Sequence, residues 1–98
     1  MKIVWAPLAR DHVAQAFASI AAERPSAAIR WLEEVIDKVA VLGSFPDMGR
    51  MVPEAQRVSL REVPVPPYRL IYRRDETEVV ILAVHHARRE LEADELES

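Results

Sequence analysis

The chain of 98 residues has no cysteine, two glycines and two lysines. It also has no apolar run near the roughly 20 residues that a bilayer span requires. Without cysteine, disulfides, thiolate zinc sites, iron–sulfur ligation and a Cys nucleophile are excluded. Gly43 and Gly49 do not lie in a strand-to-helix turn, so no glycine-rich loop cradles a phosphate. Hydroxyl nucleophiles are scarce, and Ser19, Ser26, Ser44, Ser59, Thr77 and Ser98 all lie away from a histidine in sequence. The three histidines lack metal-ligand spacing: His85 and His86 are adjacent on a strand and point to opposite faces, and His12 has no His or carboxylate four residues away. No metal or cofactor is expected. The opening Met-Lys-Ile-Val-Trp lacks the long apolar stretch of an export signal, so a soluble cytoplasmic protein is the expectation.

What is present describes one small globular domain over residues 1–98. Half of the residues are hydrophobic and 30% are charged, which disfavours disorder. The net charge of −3 conceals an asymmetry. Glu90, Glu92, Asp94, Glu95 and Glu97 make an acidic tail, leaving 13 bases and 11 acids in residues 1–89, a balance of +2. All the bases except Lys2 and Lys38 are arginine, the residue suited to bidentate contact with carboxylates and phosphates.

Periodicity orders the chain as β-α-α-β-β-β with a short C-terminal helix. Lys2–Trp5 reads as a strand, broken by Ala6-Pro7. Pro7 suits a first helical turn, and Ala9, Val13, Ala16, Phe17 and Ile20 form one apolar stripe to about Glu23. After Pro25 a second stripe runs through Ala28, Leu32, Val35, Ile36, Val39 and Leu42. Gly43 is expected in the left-handed position that ends this helix. The two helices should form an antiparallel hairpin. Residues 44–56 read as a loop, and Arg57–Val63 and Tyr68–Arg74 alternate as strands. Between them Pro64, Pro66 and Pro67 predict a stiff turn outside any ladder. Val79–Val84 is apolar throughout, the pattern of a central strand covered on both faces, and residues 87–96 are polar and helix-prone. The expected fold is α+β, a helical hairpin packed on a small twisted, mainly antiparallel sheet.

The residues left for chemistry are arginines and aromatics on the last three strands. If Arg57 and Arg61 share a face with Arg69 and Arg73, extended by Arg88 and Arg89, the sheet presents a cationic surface for a phosphodiester or an acidic peptide. The ordinary alternative is that they solvate the open face of a one-sided sheet. Trp31, one position off its stripe, reads either as an interface anchor or as a core-edge residue. Tyr68 and Tyr72 can stack on bases or pack under the helices. His86 reads as a general acid, a phosphate contact or a strand-end residue satisfied by backbone.

Several segments resemble the RelE/ParE superfamily of type II toxin–antitoxin toxins over essentially the whole chain. They are Val4-Trp5-Ala6-Pro7-Leu8-Ala9, Pro25-Ser26-Ala27-Ala28 and the run Leu42-Gly43-Ser44-Phe45-Pro46-Asp47-Met48-Gly49-Arg50. Further on come Leu60-Arg61-Glu62-Val63, Tyr68-Arg69-Leu70-Ile71-Tyr72 and the run from Ile81 to Arg89 that contains His85-His86-Ala87-Arg88. The resemblance implies the fold already read and one of two mechanisms. RelE-like members are ribosome-dependent mRNA endonucleases, for which Arg57, Arg61, Arg69, His86 and Arg88 would form the catalytic set, with ribosome and mRNA as partners. ParE-like members are not nucleases and act on DNA gyrase. His86-Ala87-Arg88 resembles the ParE pattern, and the absence of lysine after Lys38 disfavours entry into a phosphate-dense ribosomal site, so the ParE side is expected. Either mechanism implies a cognate antitoxin and a toxin–antitoxin hetero-oligomer, with Phe17, Trp31, Arg57, Arg61, Arg88 and Arg89 as the expected partner-binding residues. A degenerate member that binds antitoxin without toxicity is the remaining reading.

Overall fold

The computed structural model describes residues 1–89 and 91. Strand β1 (Lys2–Trp5) leads into helices α1 (Pro7–Glu23) and α2 (Pro25–Ser44), followed by β2 (Arg50–Met51), β3 (Leu60–Val65), β4 (Tyr68–Arg74) and β5 (Glu78–His86). Both helices begin on proline, where the missing N–H leaves no helical bond unmade. Arg24 alone links them: its backbone N–H closes α1 onto the Ile20 carbonyl, and its carbonyl accepts from Ala27 and Ala28 to open α2.

The sheet runs β1-β5-β4-β3-β2, with β1 parallel to β5 and the other pairs antiparallel. The β4–β5 register shifts after Ile71, so that Ile71 faces Ala83 while Tyr72 faces Ile81, leaving Leu82 as the extra residue. That bulge lets Val79, Ile81 and Val84 all join the core under the helices, where Val63, Val65, Leu70 and Tyr72 meet Ala16, Trp31, Val35 and Leu42. A second, smaller cluster of Val52, Leu60, Ile71, Ala83 and Leu91 packs on the other face. The continuous apolar run of β5 is thereby covered on both sides, as its sequence predicts.

Four expectations are corrected. Gly43 is helical and not left-handed: α2 continues to Ser44, and the Gly43 carbonyl accepts a 2.7 Å bond from the Met1 amino terminus. The third strand starts at Leu60, leaving Arg57 and Val58 in the preceding loop. Pro64 belongs to β3, opposite Arg69. It is tolerated because β2 pairs only with Arg61 and Glu62, so the missing N–H of Pro64 faces an open edge whose carbonyl is met by Lys38 Nζ at 3.1 Å. The two-residue strand Arg50–Met51 inside the expected loop is the fourth. Of the expected C-terminal helix over 87–96, Ala87 and Arg88 form a turn, and the rest apart from Arg89 and Leu91 lies outside the described residues, as does nearly all of the acidic tail.

Candidate functional site: two arginine clusters and a histidine cleft

Alternation along β4 turns Arg69 to the face away from the helices, where its side chain is 10% exposed. Its guanidinium donates to Glu62 Oε1 at 3.0 Å and clamps the Glu54 carboxylate with both Nη atoms. Arg50 completes the group, its Nε and Nη2 lying 2.9 and 2.7 Å from Glu62 Oε2. Two cations thus meet two anions, the arrangement a buried charge requires. The hydrogen bond from Arg69 holds the Glu54 carboxyl at about 2, outweighing the opposing effect of its desolvation. Glu54 Oε2 also accepts the Leu91 N–H at 3.1 Å, tying the end of the described chain to this face. A hollow of about 260 Å³ opens between Arg50, Pro64, Tyr68 and Arg69, and the Glu62 carboxylate lies in its wall. A phosphate entering there meets a fixed negative charge.

The second cluster is structural. The Tyr72 hydroxyl, fully buried, donates to the Pro46 carbonyl at 2.6 Å and accepts the Gly49 N–H at 3.0 Å. Burial pushes the Tyr72 hydroxyl above its ordinary pKa. Gly49 sits so close that a Cβ would lie 2.5 Å from the Glu62 carbonyl and 2.8 Å from the Tyr72 ring. Arg61, on the helix side of β3, donates to the Val58 carbonyl at 2.9 Å and the Gly49 carbonyl at 2.8 Å. Its Nε stands 3.5 Å from Asp47, which also faces Arg74 Nε at 3.2 Å. Arg61 therefore holds the 47–58 loop onto the sheet.

The third feature lies where β1 ends. β1 covers the edge of β5 only from Glu78 to Ile81, and α1 crosses the uncovered remainder. There His12 Nδ1 accepts the Val84 N–H at 3.1 Å, so the ring carries its proton on Nε2. The His12 and His85 ring centroids are 4.5 Å apart, and an Arg89 Nη lies 2.7 Å from His85 Nδ1. Tyr68, wedged between Trp31 and His86 at centroid distances of 5.3 and 5.5 Å, forms the inner wall. Gln15 and Ser19 of α1 line, with His12, Tyr68, His85, His86 and Arg89, an open cleft of about 460 Å³.

The sequence-predicted residues do not form one cationic face. Arg61 lies on the opposite side of the sheet from Arg69 and Arg73, because residues paired across the ladder share a face and Arg61 pairs with Tyr72 while Arg69 pairs with Pro64. Arg57 is exposed in the loop, off the strand altogether. His86 pairs with Tyr68, four residues along β4 from the partner of Arg61, a separation of about 13 Å. His86 and the exposed Arg88 stay together, the Arg88 N–H donating to His86 Nδ1 at 3.2 Å, and Arg89 joins the cleft. Phe17 is half-buried against the core. Trp31 is not a surface anchor: it is 5% exposed, with its indole N–H on the Val65 carbonyl at 3.0 Å. Sequence reading missed His12, although residues 12, 15 and 19 share one polar helix face. It also missed Glu54 and Glu62 as the partners of Arg69; an acid between Leu60 and Val63 in an apolar strand was the available signal.

The model of the family described as the ParE toxin of the type II toxin–antitoxin system, parDE, matches residues 3–91. The chain belongs to the ParE toxin family. The described elements all lie within that match except the first residue of β1. Among solved structures, the chromosomal ParDE toxin–antitoxin system from P. aeruginosa is similar in fold. It superposes with a TM-score of 0.72 at 17% identity, covering 88% of this chain and 95% of that one. No curated protein sequence matches the chain. As a ParE toxin of a toxin–antitoxin system, the chain has a cognate antitoxin for its partner. None of its described helices is long and apolar enough to cross a membrane.

Proposed function

We propose that this ParE toxin poisons DNA gyrase in the cytoplasm and does not cut RNA. The observation that carries the reading is that Arg61 and Arg69, two of the arginines a ribonuclease would use, are committed to partners within the protein. The Arg69 guanidinium is shared between Glu54 and Glu62, and the Arg61 guanidinium is spent on backbone carbonyls, its place on the sheet four residues along β4 from that of His86. Acid–base cleavage of a phosphodiester needs cations aimed at the phosphate and a proton carrier within about 3 Å of the attacking hydroxyl. Purified toxin is expected to inhibit supercoiling and leave linearised plasmid, while mRNA on programmed ribosomes stays intact. Codon-dependent mRNA cleavage without an effect on gyrase reverses the assignment. If expression without antitoxin leaves growth unchanged, the chain is a degenerate antitoxin-binding module.

The antitoxin, in this reading, lays an amphipathic segment on the helical hairpin. There Trp5, Val13, Leu32, Val35 and Ile36 line an apolar groove of about 260 Å³, and Leu8, Ile29 and Ile36 are more than half exposed. Arg10 in the groove wall supplies a contact for an acidic side chain.

A further inference from the structure

We infer that the flank of α2 nearer β3, with the loop that follows it, forms a docking surface centred on Val41, Phe45 and Met48. Its occupant is a basic segment of the toxin's target protein, one that sets Lys or Arg beside a bulky apolar side chain. The inference rests on the gyrase reading for the identity of that target and extends it by naming the face of the toxin that meets gyrase.

The patch is apolar at its centre. Val41, Phe45 and Met48 are all exposed, Phe45 by 66%. Two hollows of about 450 and 240 Å³ share Met48: Phe45 and Pro46 line the first, Glu34, Asp37 and Val41 the second. Aromatic and methionine side chains gathered at a surface are the kind that interfaces bury. Nor is this the fraying of a loose loop. The Phe45 N–H closes α2 on the Val41 carbonyl at 2.8 Å, and the Met48 N–H donates to the Phe45 carbonyl at 3.0 Å. The Pro46 carbonyl and the Gly49 N–H are both fastened to the buried Tyr72 hydroxyl, and the Asp47 carbonyl accepts from Arg61 at 3.3 Å. A backbone fixed at successive residues holds Phe45 and Met48 outward before any partner arrives, which lowers the entropy cost of binding.

Charge selects the occupant. Glu34, Asp37 and Val41 stand at helical spacings of three and four on one flank of α2, whereas Leu32 and Ile36 line the groove proposed for the antitoxin on the other. Glu34 and Asp37 form no ion pair with any described residue. Lys38, the base among the residues lining this hollow, reaches over to the Pro64 carbonyl, and Arg30 stands one turn earlier, outside it. The antitoxin groove has the opposite sign, its charged wall residue being Arg10. An acidic segment suited to that groove is repelled here, and so is the phosphate backbone of DNA. A basic protein surface is attracted, and an enzyme that grips DNA carries such surfaces. The two flanks thus suit different partners.

The test measures binding of full-length toxin to purified DNA gyrase by biolayer interferometry, at low and at high salt. Phe45→Ser and the double variant Glu34→Lys with Asp37→Lys are compared with wild type and with Glu23→Lys, an exposed acid at the end of α1. Calorimetry with the cognate antitoxin checks that each variant is folded, and expression without antitoxin measures toxicity. The expected result is a gyrase affinity about tenfold weaker in both patch variants, with the deficit of the charge variant shrinking at high salt. Antitoxin affinity stays within about twofold throughout, and Glu23→Lys matches wild type. Unchanged gyrase affinity and toxicity in the patch variants overturn the inference, as does an equal loss in Glu23→Lys, which would mean diffuse attraction. A loss of antitoxin affinity alone overturns it in favour of the antitoxin. A toxin dimer abolished in Phe45→Ser with gyrase affinity intact, read by sedimentation, overturns it in favour of a second copy. If wild type is toxic without binding gyrase and the patch variants lose toxicity, the gyrase reading falls and the docking surface stands. If all four proteins inhibit gyrase equally, the surface falls alone; if wild type neither binds gyrase nor slows growth, both fall.

Discussion

Of the two glycines, Gly49 is the more tightly enclosed. A methyl group there meets backbone on one side and the buried Tyr72 ring on the other, and neither can move without opening the loop that Arg61 ties down. Gly49→Ala is expected to lower stability by about 1–3 kcal/mol, the range for overpacking, as read by the midpoint of urea denaturation. Glu54 makes a different prediction. Its carboxyl titrates near 2 when folded, against an ordinary 4.5, so the ionised form stabilises the fold at neutral pH. That stabilisation is full above the unfolded value and fades as pH falls from about 4.5 toward 2. Glu54→Gln is therefore expected to be less stable at pH 7 and to show a flatter loss of stability with acid; thermal melts from pH 7 to 2.5 measure both.

At the scale of elements, the helices were legible because each is long and periodic. Ala9, Val13, Ala16, Phe17 and Ile20 face the sheet as their spacing implies, and proline marks both starts. Trp31 and Ile36 show the limit of that reading. Trp31 lies on the buried stripe of Ala28, Val35, Val39 and Leu42 and Ile36 lies one position off it, and only the docking angle of α2 decided that Trp31 is buried and Ile36 is 57% exposed. Exposure makes Ile36 the test of the antitoxin groove. Ile36→Glu is expected to leave the melting midpoint nearly unchanged and to weaken antitoxin binding by at least tenfold, measured by calorimetry. Unaltered affinity would move the antitoxin off this groove. The strands were legible except where their limits depend on neighbours: β2 exists because it finds two residues of β3 to pair with, and Pro64 joins β3 because no described strand pairs with its outer side.

At the scale of the whole molecule, the arginines of one chain serve separate purposes according to what the fold sets beside them. Arg69 lies under two carboxylates, Arg61 pins a loop, and Arg89 lines an open cleft. Composition and periodicity were enough to determine the α+β class, the helical hairpin, the central apolar strand and a preference for arginine over lysine. These properties are local, since hydrophobic spacing and proline position act within a few residues of themselves. The fold alone decided which charges meet. Glu54 and Arg69 are 15 residues apart and His12 and Val84 are 72 apart, and such pairs form only when sheet register and helix docking have closed the intervening chain.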